Sequence, residues 1–461
     1  MRDPLALRDR RRLAAFVALL IVVIACAAPP AQNVVNRTLV VWVDTPVIGA
    51  SIRQRIVPFM HDNPEIAVKV FDRAGLLKNG DISIAIEALQ TSDVGVDVIA
   101  MTDRDFGLMS NKGDLLNLGP FMLQRSDFQS TDFFPAVLDA FRDHGKQYAI
   151  PSEVVPWMMF YNKQLFDRAH LDYPGTTWND SEFLGAAGYL SSLTTSNSRD
   201  EMAGFVTDPT LALFPFIATF GVDPGATADD PFAKWLQDRR TVEAAQWFVD
   251  LGLRAKVMPY DENNRTVGLW FEGRAGLAAM YMDQREQVPP FMQRGEALTP
   301  TPSTPSPPAG WKFGWGVTML PRAEVETSIY YASGYGIAQS TKDPDDAWLL
   351  IDYLTRHLPE QAGRAYVPAR ESLAYSPEFS LLYPEAGREA YVRSVLEGHR
   401  IPVWRAAASP TRDDLRGMLT GSVHPGNGLQ AYRDRIQPLI NAAPPATPTP
   451  IGYVAPAPAP G

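Results

Sequence analysis

The chain has 461 residues, 46% hydrophobic and 20% charged, enough for a sizeable core and for more than one domain. Its formal charge is −10, and loss of the first 25 residues, with five Arg and two Asp, would take it to −13. Such a balance excludes nucleic acid and anionic membrane surfaces as preferred partners, because phosphate contact depends on Lys and Arg.

A single Cys rules out an internal disulfide. Its position carries information. Arg8, Arg10, Arg11 and Arg12 precede an apolar run at 13–25, shorter than the ~20 residues a spanning helix needs. The run ends directly before Cys26. This resembles a bacterial lipobox, which implies a signal peptide at 1–25, acylation of Cys26 and a tether at 26–37. An uncleaved anchor, or a soluble secretory signal with a chance Cys, remains an alternative.

Residues 38–43 (TLVVWV) are a β-branched apolar run and read as a buried strand. Ile52, Ile56, Phe59 and Met60 recur at helical spacing, and Asn63-Pro64 stops that helix. Residues 66–71 (IAVKVF) alternate as a second strand, Asp81 caps a second helix, and 96–101 (VDVIAM) form a third strand. This alternation predicts a parallel α/β sheet, whose ligands sit beyond the C-terminal strand ends. The stretches 42–45 and 102–105 are therefore the first places to look.

Further on, a helical turn or two is expected at 162–169, and helices at 181–192 with Asn179 or Ser181 as cap, at 211–220 with apolar residues nearly all round, and at 241–252. Residues 270–280 suggest a short helix end, a Gly turn and a strand. Residues 298–310 (LTPTPSTPSPPAG) are proline-rich and predict an extended loop. A strand is expected at 311–320. Asp343-Pro344-Asp345-Asp346 reads as a helix start with a capping Asp, and Trp348 falls on that helix's buried side. The tail at 442–461 is Pro/Ala-rich and reads as disordered.

The six His show no i,i+3 or i,i+4 pairs, so no helical metal site is predicted, and no phosphate-cradle or nucleophile-elbow motif occurs. No cofactor, metal or catalytic residue is expected.

The order GKQYAIP at 145–151, YNKQLF at 161–166 and Thr177-Trp178, then FGWGVTMLP at 313–321 and SGYGIAQSTKDPDDAWLLIDYLT at 333–355, is similar to the maltose-binding-like solute-binding proteins of carbohydrate ABC transporters. The resemblance spans roughly 38–370. It departs at His170, where Gly is common, and at Pro174-Gly175, where Pro-Pro is common. It implies a two-lobed α/β fold of the periplasmic-binding-protein type II, with discontinuous lobes around a ligand cleft. Lobe 1 would take 38–148 and 311–362, and lobe 2 would take 149–310 and 363–441. It implies a carbohydrate ligand and a permease partner. The protein would be a monomer, lipid-anchored outside the cytoplasm.

Sugar rings pack on aromatic faces and their hydroxyls need fixed polar groups. The candidates are Trp42, Trp157, Trp270, Tyr281 and Tyr335, with Trp404 beside them, and the polar Asp44, Asp103, Glu153, Asp283 and Arg370. For each aromatic the competing reading is a core side chain. For each charge it is a solvated loop or helix cap, and for Arg370 an interlobe salt bridge. Two other functions stay open: a secreted glycan-active enzyme, which needs a carboxylate pair in the cleft, and a sensor or scaffold lipoprotein with a degenerate cleft.

Overall fold

The computed structural model describes residues 37–43, 46–72, 95–109, 113–193, 202–222, 235–261, 265–283, 313–358, 366–382, 387–400 and 410–441. Cys26, Asp44, Trp404, the helix expected after Asp81, the proline-rich stretch at 298–310 and the tail at 442–461 lie outside them.

Strand β1 (Arg37–Val43) pairs in parallel with β2 (Ile66–Asp72) on one side and β3 (Val98–Thr102) on the other. The helix Pro46–Asp62 connects β1 to β2 and buries Ile52, Ile56 and Phe59, the residues picked out by their spacing. A small hairpin, β4 (Arg142–Asp143) with β5 (Lys146–Gln147), leads into β6 (Ala149–Asn162), the longest strand described.

Strand β6 organises the molecule. Beyond it lie β7 (Ala203–Thr207), β8 (Ala275–Tyr281) and β9 (Trp315–Thr318), then β10 (Ser328–Ile337), β11 (Val367–Pro368) and β12 (Gly398–Arg400). The first part of β6, through Pro156, pairs with β10, which in turn pairs with β3. From Trp157 onward β6 pairs with β8 and β9, and β8 pairs with β7. One strand thus belongs to two half-sheets, and the path runs β2-β1-β3-β10-β6-β8-β7.

Burial follows this division. Along the second half of β6, Met158 and Phe160 join one buried cluster, which continues into the first half-sheet. Trp157, Met159 and Tyr161 join a second cluster under the helices Asp180–Ser192, Pro209–Ala218 and Arg239–Leu253. The period of two along the strand sends alternate residues to opposite faces. Helix Pro209–Ala218 is buried nearly all round, as its sequence requires.

Local signals explain the helix ends. Asn162 caps Lys163–Ala169 by accepting from Leu165 N at 3.3 Å. Asn179 and Glu182 form a reciprocal capping box on Asp180–Ser192. Asp343, expected to cap Pro344–Arg356, makes no side-chain capping bond; its own N–H donates to Thr341 Oγ1 at 3.3 Å. Trp348 is 2% exposed and stacks on Phe121 at 5.5 Å, a core residue as expected.

Two expected segment boundaries fall elsewhere. The strand expected at 311–320 was to return the chain to the first lobe. Instead β9 pairs with Met159–Asn162 on the far half-sheet, and β10 makes the return. The stretch 363–441 was to belong to one lobe. Its packing is divided. Helix Gly387–Leu396 lies over β6, β9 and β10, with Tyr391 in the first cluster, whereas Leu415, Tyr432 and Ile436 belong to the second. Amphipathic spacing identifies a helix's buried face but not the sheet that covers it.

Candidate functional site

At the C-terminal end of β3, three strands lie side by side. Their register aligns Thr102, Ser333 and Glu153 in one row, with Pro368 of β11 next to Glu153. The ladder is irregular here: β6 carries Pro151, which has no N–H to donate, and β10 shifts register between Ser333 and Gly334. Gly334 is required, because a Cβ there would meet Ile150 O at 2.6 Å and Pro151 Cα at 2.9 Å. Beside the irregularity lies a small pocket lined by Ile48, Ala100, Met101, Thr102, Ser152, Glu153, Ser333, Gly334 and Tyr335.

Polar contacts fix the pocket walls. Thr102 Oγ1 donates to Asp105 Oδ2 at 3.0 Å, and Asp105 N donates back to Thr102 Oγ1 at 3.2 Å, closing the first turn of helix Asp103–Met109. Ser152 Oγ donates to the Ser333 carbonyl at 3.3 Å. Beneath the pocket, the buried Arg55 donates to Tyr335 Oη at 3.4 Å and to the carbonyls of Leu354 and His357. Burial raises the Tyr335 pKa above its ordinary value, Arg55 opposes the shift, and Glu153 adds to it.

The face that carries Glu153 continues along β6. Directly paired residues share a face, so Glu153 with Ser333, Val155 with Tyr331, and Trp157 with Tyr281 all project to one side. The Tyr281 ring meets Trp157 edge-on at 4.7 Å and Tyr331 at 5.1 Å. Tyr331 Oη donates to Asp283 Oδ2 at 2.6 Å. Two buried polar atoms of this face, Trp157 Nε1 and Ser333 Oγ, have no hydrogen-bond partner among the described residues. A buried group left unsatisfied costs about 1–3 kcal/mol, so such atoms mark a place where a ligand or water is expected.

Of the sequence candidates, Glu153 and Tyr335 line the pocket, Asp103 follows β3 directly, and Tyr281 with Asp283 lies along the same face past Trp157. The three tryptophans are core side chains in this arrangement: Trp42 is 1% exposed, and Trp157 and Trp270 are 0% exposed. Trp42 sits mid-sheet between two paired strands, and Trp270 packs edge-on against Phe313 at 5.0 Å. Arg370 is not in the pocket. Its guanidinium bonds Asp132 and Asp352 and lies 4.3 Å from the Phe133 ring. Sequence reasoning missed Tyr331, Ser333, Ser152 and Arg55. For Tyr331 a signal existed, since it alternates with Ser333 and Tyr335 along 328–337.

The sheet order, the shared strand and the pocket at the strand ends all point one way, and sequence comparison decides it. The model for bacterial extracellular solute-binding proteins matches residues 59–357. The chain belongs to this family. A binding protein of Brucella abortus strain 2308 is 23% identical over 319 residues, 65% of this chain and 68% of that one. Among solved structures, this solute-binding protein is similar to the ABC substrate-binding protein Lmo0181 of Listeria monocytogenes in complex with cycloalternan. The TM-score is 0.67 and the identity 18%, over 88% of this chain and 99% of that one. Maltose-bound MalE3 of T. maritima gives a TM-score of 0.64 at 16% identity, over 87% and 100% of the two chains. UgpB of Mycobacterium tuberculosis with glycerophosphocholine gives 0.65 at 16%, over 88% and 98%. These neighbours share the two-lobed type II binding fold. Their ligands differ, so the fold alone does not name one here.

Proposed function

We propose that this solute-binding protein captures a carbohydrate of one or a few rings between its two lobes and delivers it to an ABC permease, without covalent chemistry. The observation that carries the reading is the common face of β6, β8 and β10. It offers aromatic surface in Tyr281 and Tyr331, a hydroxyl row in Thr102 and Ser333, and a carboxylate in Glu153. Rings match the C–H faces of a pyranose, and fixed polar groups match its hydroxyls. Solved neighbours bound to cycloalternan and to maltose add support. The ligand sites proposed are Glu153, Tyr281, Asp283 and Tyr335 with Tyr331, Thr102 and Ser333; Asp103 stands at the end of β3 beside them, and Asp44 is a further candidate from the sequence. Acids and aromatics together favour neutral or cationic ligands over anions.

The same reading places the protein as a monomer held at the outer face of a membrane by lipid on Cys26, with the signal at 1–25 removed. Acyl chains of that kind give stable anchoring. Mass labelling of Cys26, with Cys26→Ala as control, tests this part.

A thermal-shift screen of the form beginning at Ala27 tests the central part. Mono- and oligosaccharides form the panel, with amino acids and polyamines as controls. A sugar at 100 times its dissociation constant stabilises by about 2.7 kcal/mol. Shifts confined to amines or amino acids would overturn the carbohydrate assignment, and no shift at all would favour a sensor or scaffold with a degenerate cleft.

A further inference from the structure

Arg55 is a buried cation whose bonded partners are all neutral. It lies midway along helix Pro46–Asp62, with 7% of its surface exposed. Its guanidinium donates to Tyr335 Oη at 3.4 Å, to His357 O at 2.9 Å and to Leu354 O. The two carbonyls belong to the C-terminal end of helix Pro344–Arg356, which offers only partial negative charge. Arg55 Nε has no hydrogen-bond partner, and no carboxylate bonds the guanidinium among the described residues. A full charge held out of water needs a counter-charge within reach of its field.

The pocket supplies one. Tyr335, whose hydroxyl Arg55 reaches, lines the pocket together with Glu153. Ser152, the residue before Glu153, lies beside the same hydroxyl. Burial pulls the Arg55 pKa down, but Tyr335, Tyr366 and Glu153 hold it above its ordinary value, and Glu153 is the carboxylate among them. Glu153 is half-buried, so it meets both the cation beneath it and a solute in the pocket. A carboxylate alone would draw an ammonium group, whereas a cation behind it opposes that attraction. A hydroxyl carries no net charge and still donates to the carboxylate. Salt screens a buried charge far less than an exposed one, so the opposition persists at physiological ionic strength.

We propose that Arg55 is the buried counter-charge of Glu153, offsetting its charge in the pocket and selecting uncharged hydroxyl-bearing solutes over ammonium-bearing ones. Arg55 touches no solute. It is a positioning residue that acts through its field at Glu153 and through the Tyr335 side chain it holds. The selectivity rests on the carbohydrate reading above and narrows it from neutral or cationic solutes to neutral ones. The charge pairing itself can be tested with no solute present.

A double-mutant cycle on the ligand-free full chain supplies the first test. Arg55→Gln keeps an amide donor and loses the charge, and it lowers the urea midpoint. Glu153→Gln, nearly neutral on its own, raises the midpoint when added to Arg55→Gln, because no carboxylate is then left without its cation. Midpoints that simply add overturn the pairing, whatever any sugar does. The rescue in a protein that binds no sugar supports the pairing and fails only the carbohydrate reading. Selectivity is read with putrescine and glucosamine as cationic probes and glucuronate as the anionic one. Arg55→Gln binds the amines about threefold or more tighter than the parent, the scale of a part-exposed ion pair, and Arg55→Lys binds them as the parent does. Loss of packing alone would weaken every probe and leave their ranking unchanged. Glu153→Gln, which leaves the buried cation uncompensated, binds glucuronate more tightly than the parent, and this arm decides even where Arg55→Gln does not fold. Amine binding unchanged in Arg55→Gln, or glucuronate binding unchanged in Glu153→Gln, overturns the proposal.

Discussion

The Arg370 guanidinium bonds the Asp352 carboxylate at 3.0 Å, with 3% of the arginine side chain exposed. Asp132 at 3.2 Å and Thr355 Oγ1 at 3.2 Å complete its surroundings, and the Phe133 ring lies against its face. The residue before it, Ala369, donates its N–H to Ser152 O, beside the pocket. Burial pulls the Arg370 pKa down, and Asp132 and Asp352 oppose that pull. The side chain thus ties the end of β11 to helix Pro344–Arg356 and to the turn at Asp132.

Arg370→Ala therefore removes a buried cation from two half-buried carboxylates, of which Asp352 keeps Arg356 at 2.8 Å and Asp132 keeps Ser372 Oγ at 2.9 Å. Removing one partner of a fully buried pair costs about 3–5 kcal/mol, and partners that remain bring the cost here to about 1–3 kcal/mol. Urea unfolding of the variant should show a midpoint lowered to match, with the slope unchanged. A midpoint equal to the parent's would mean that the network adds nothing to stability.

Trp270→Ala should damage stability rather than locate the cleft. The side chain is fully buried against Phe313, and truncating such a residue costs ~3–5 kcal/mol. Tyr281 is only partly buried, so Tyr281→Ala should cost less in stability and more in solute affinity. Melting and binding measured on both variants separate the two effects.

Gly334→Ala has no room for its methyl group between Ile150 O and Pro151. Strain of this kind costs about 1–3 kcal/mol. Because Gly334 lines the pocket, loss of solute binding should accompany the lower melting temperature.

Alkaline stability should depend on Tyr330. Burial raises its pKa from 10.0 to about 12; Arg400 opposes this, and Asp103 and Asp139 add to it. A phenol held neutral in the folded state contributes stability in full below pH 10. That stability is lost as pH rises through about 12. The contribution is about 2–3 kcal/mol. Tyr330→Phe should flatten the fall in unfolding free energy between these limits, and a curve parallel to the parent's would contradict it.

Much of the frame was legible in the sequence for identifiable reasons. The run at 38–43 is β-branched and apolar throughout, and it forms β1. Asn179 followed three residues on by Glu182 is a capping box in sequence and in space. The site was less legible. An apolar strand covered on both faces, such as β1, carries no periodicity that tells a core Trp42 from a cleft tryptophan. Alternation with Tyr335 favours Tyr331 over Tyr330, but only the register against Val155, a residue 176 positions away along the chain, puts Tyr331 on the face of Glu153. Arg370 meets Asp132 across 238 positions, and spacing alone says nothing of such pairs.

The central claim is that the common face of β6, β8 and β10 binds a carbohydrate. Calorimetric titration tests it most directly, using the sugar that gives the largest thermal shift on the parent protein, Glu153→Gln and Tyr281→Ala. Saturable one-to-one binding to the parent is expected, with each variant weakened about tenfold or more, a loss of ~1.4 kcal/mol, and little change in melting temperature. Parent-like affinity in both variants, or no heat with any sugar, would contradict the assignment.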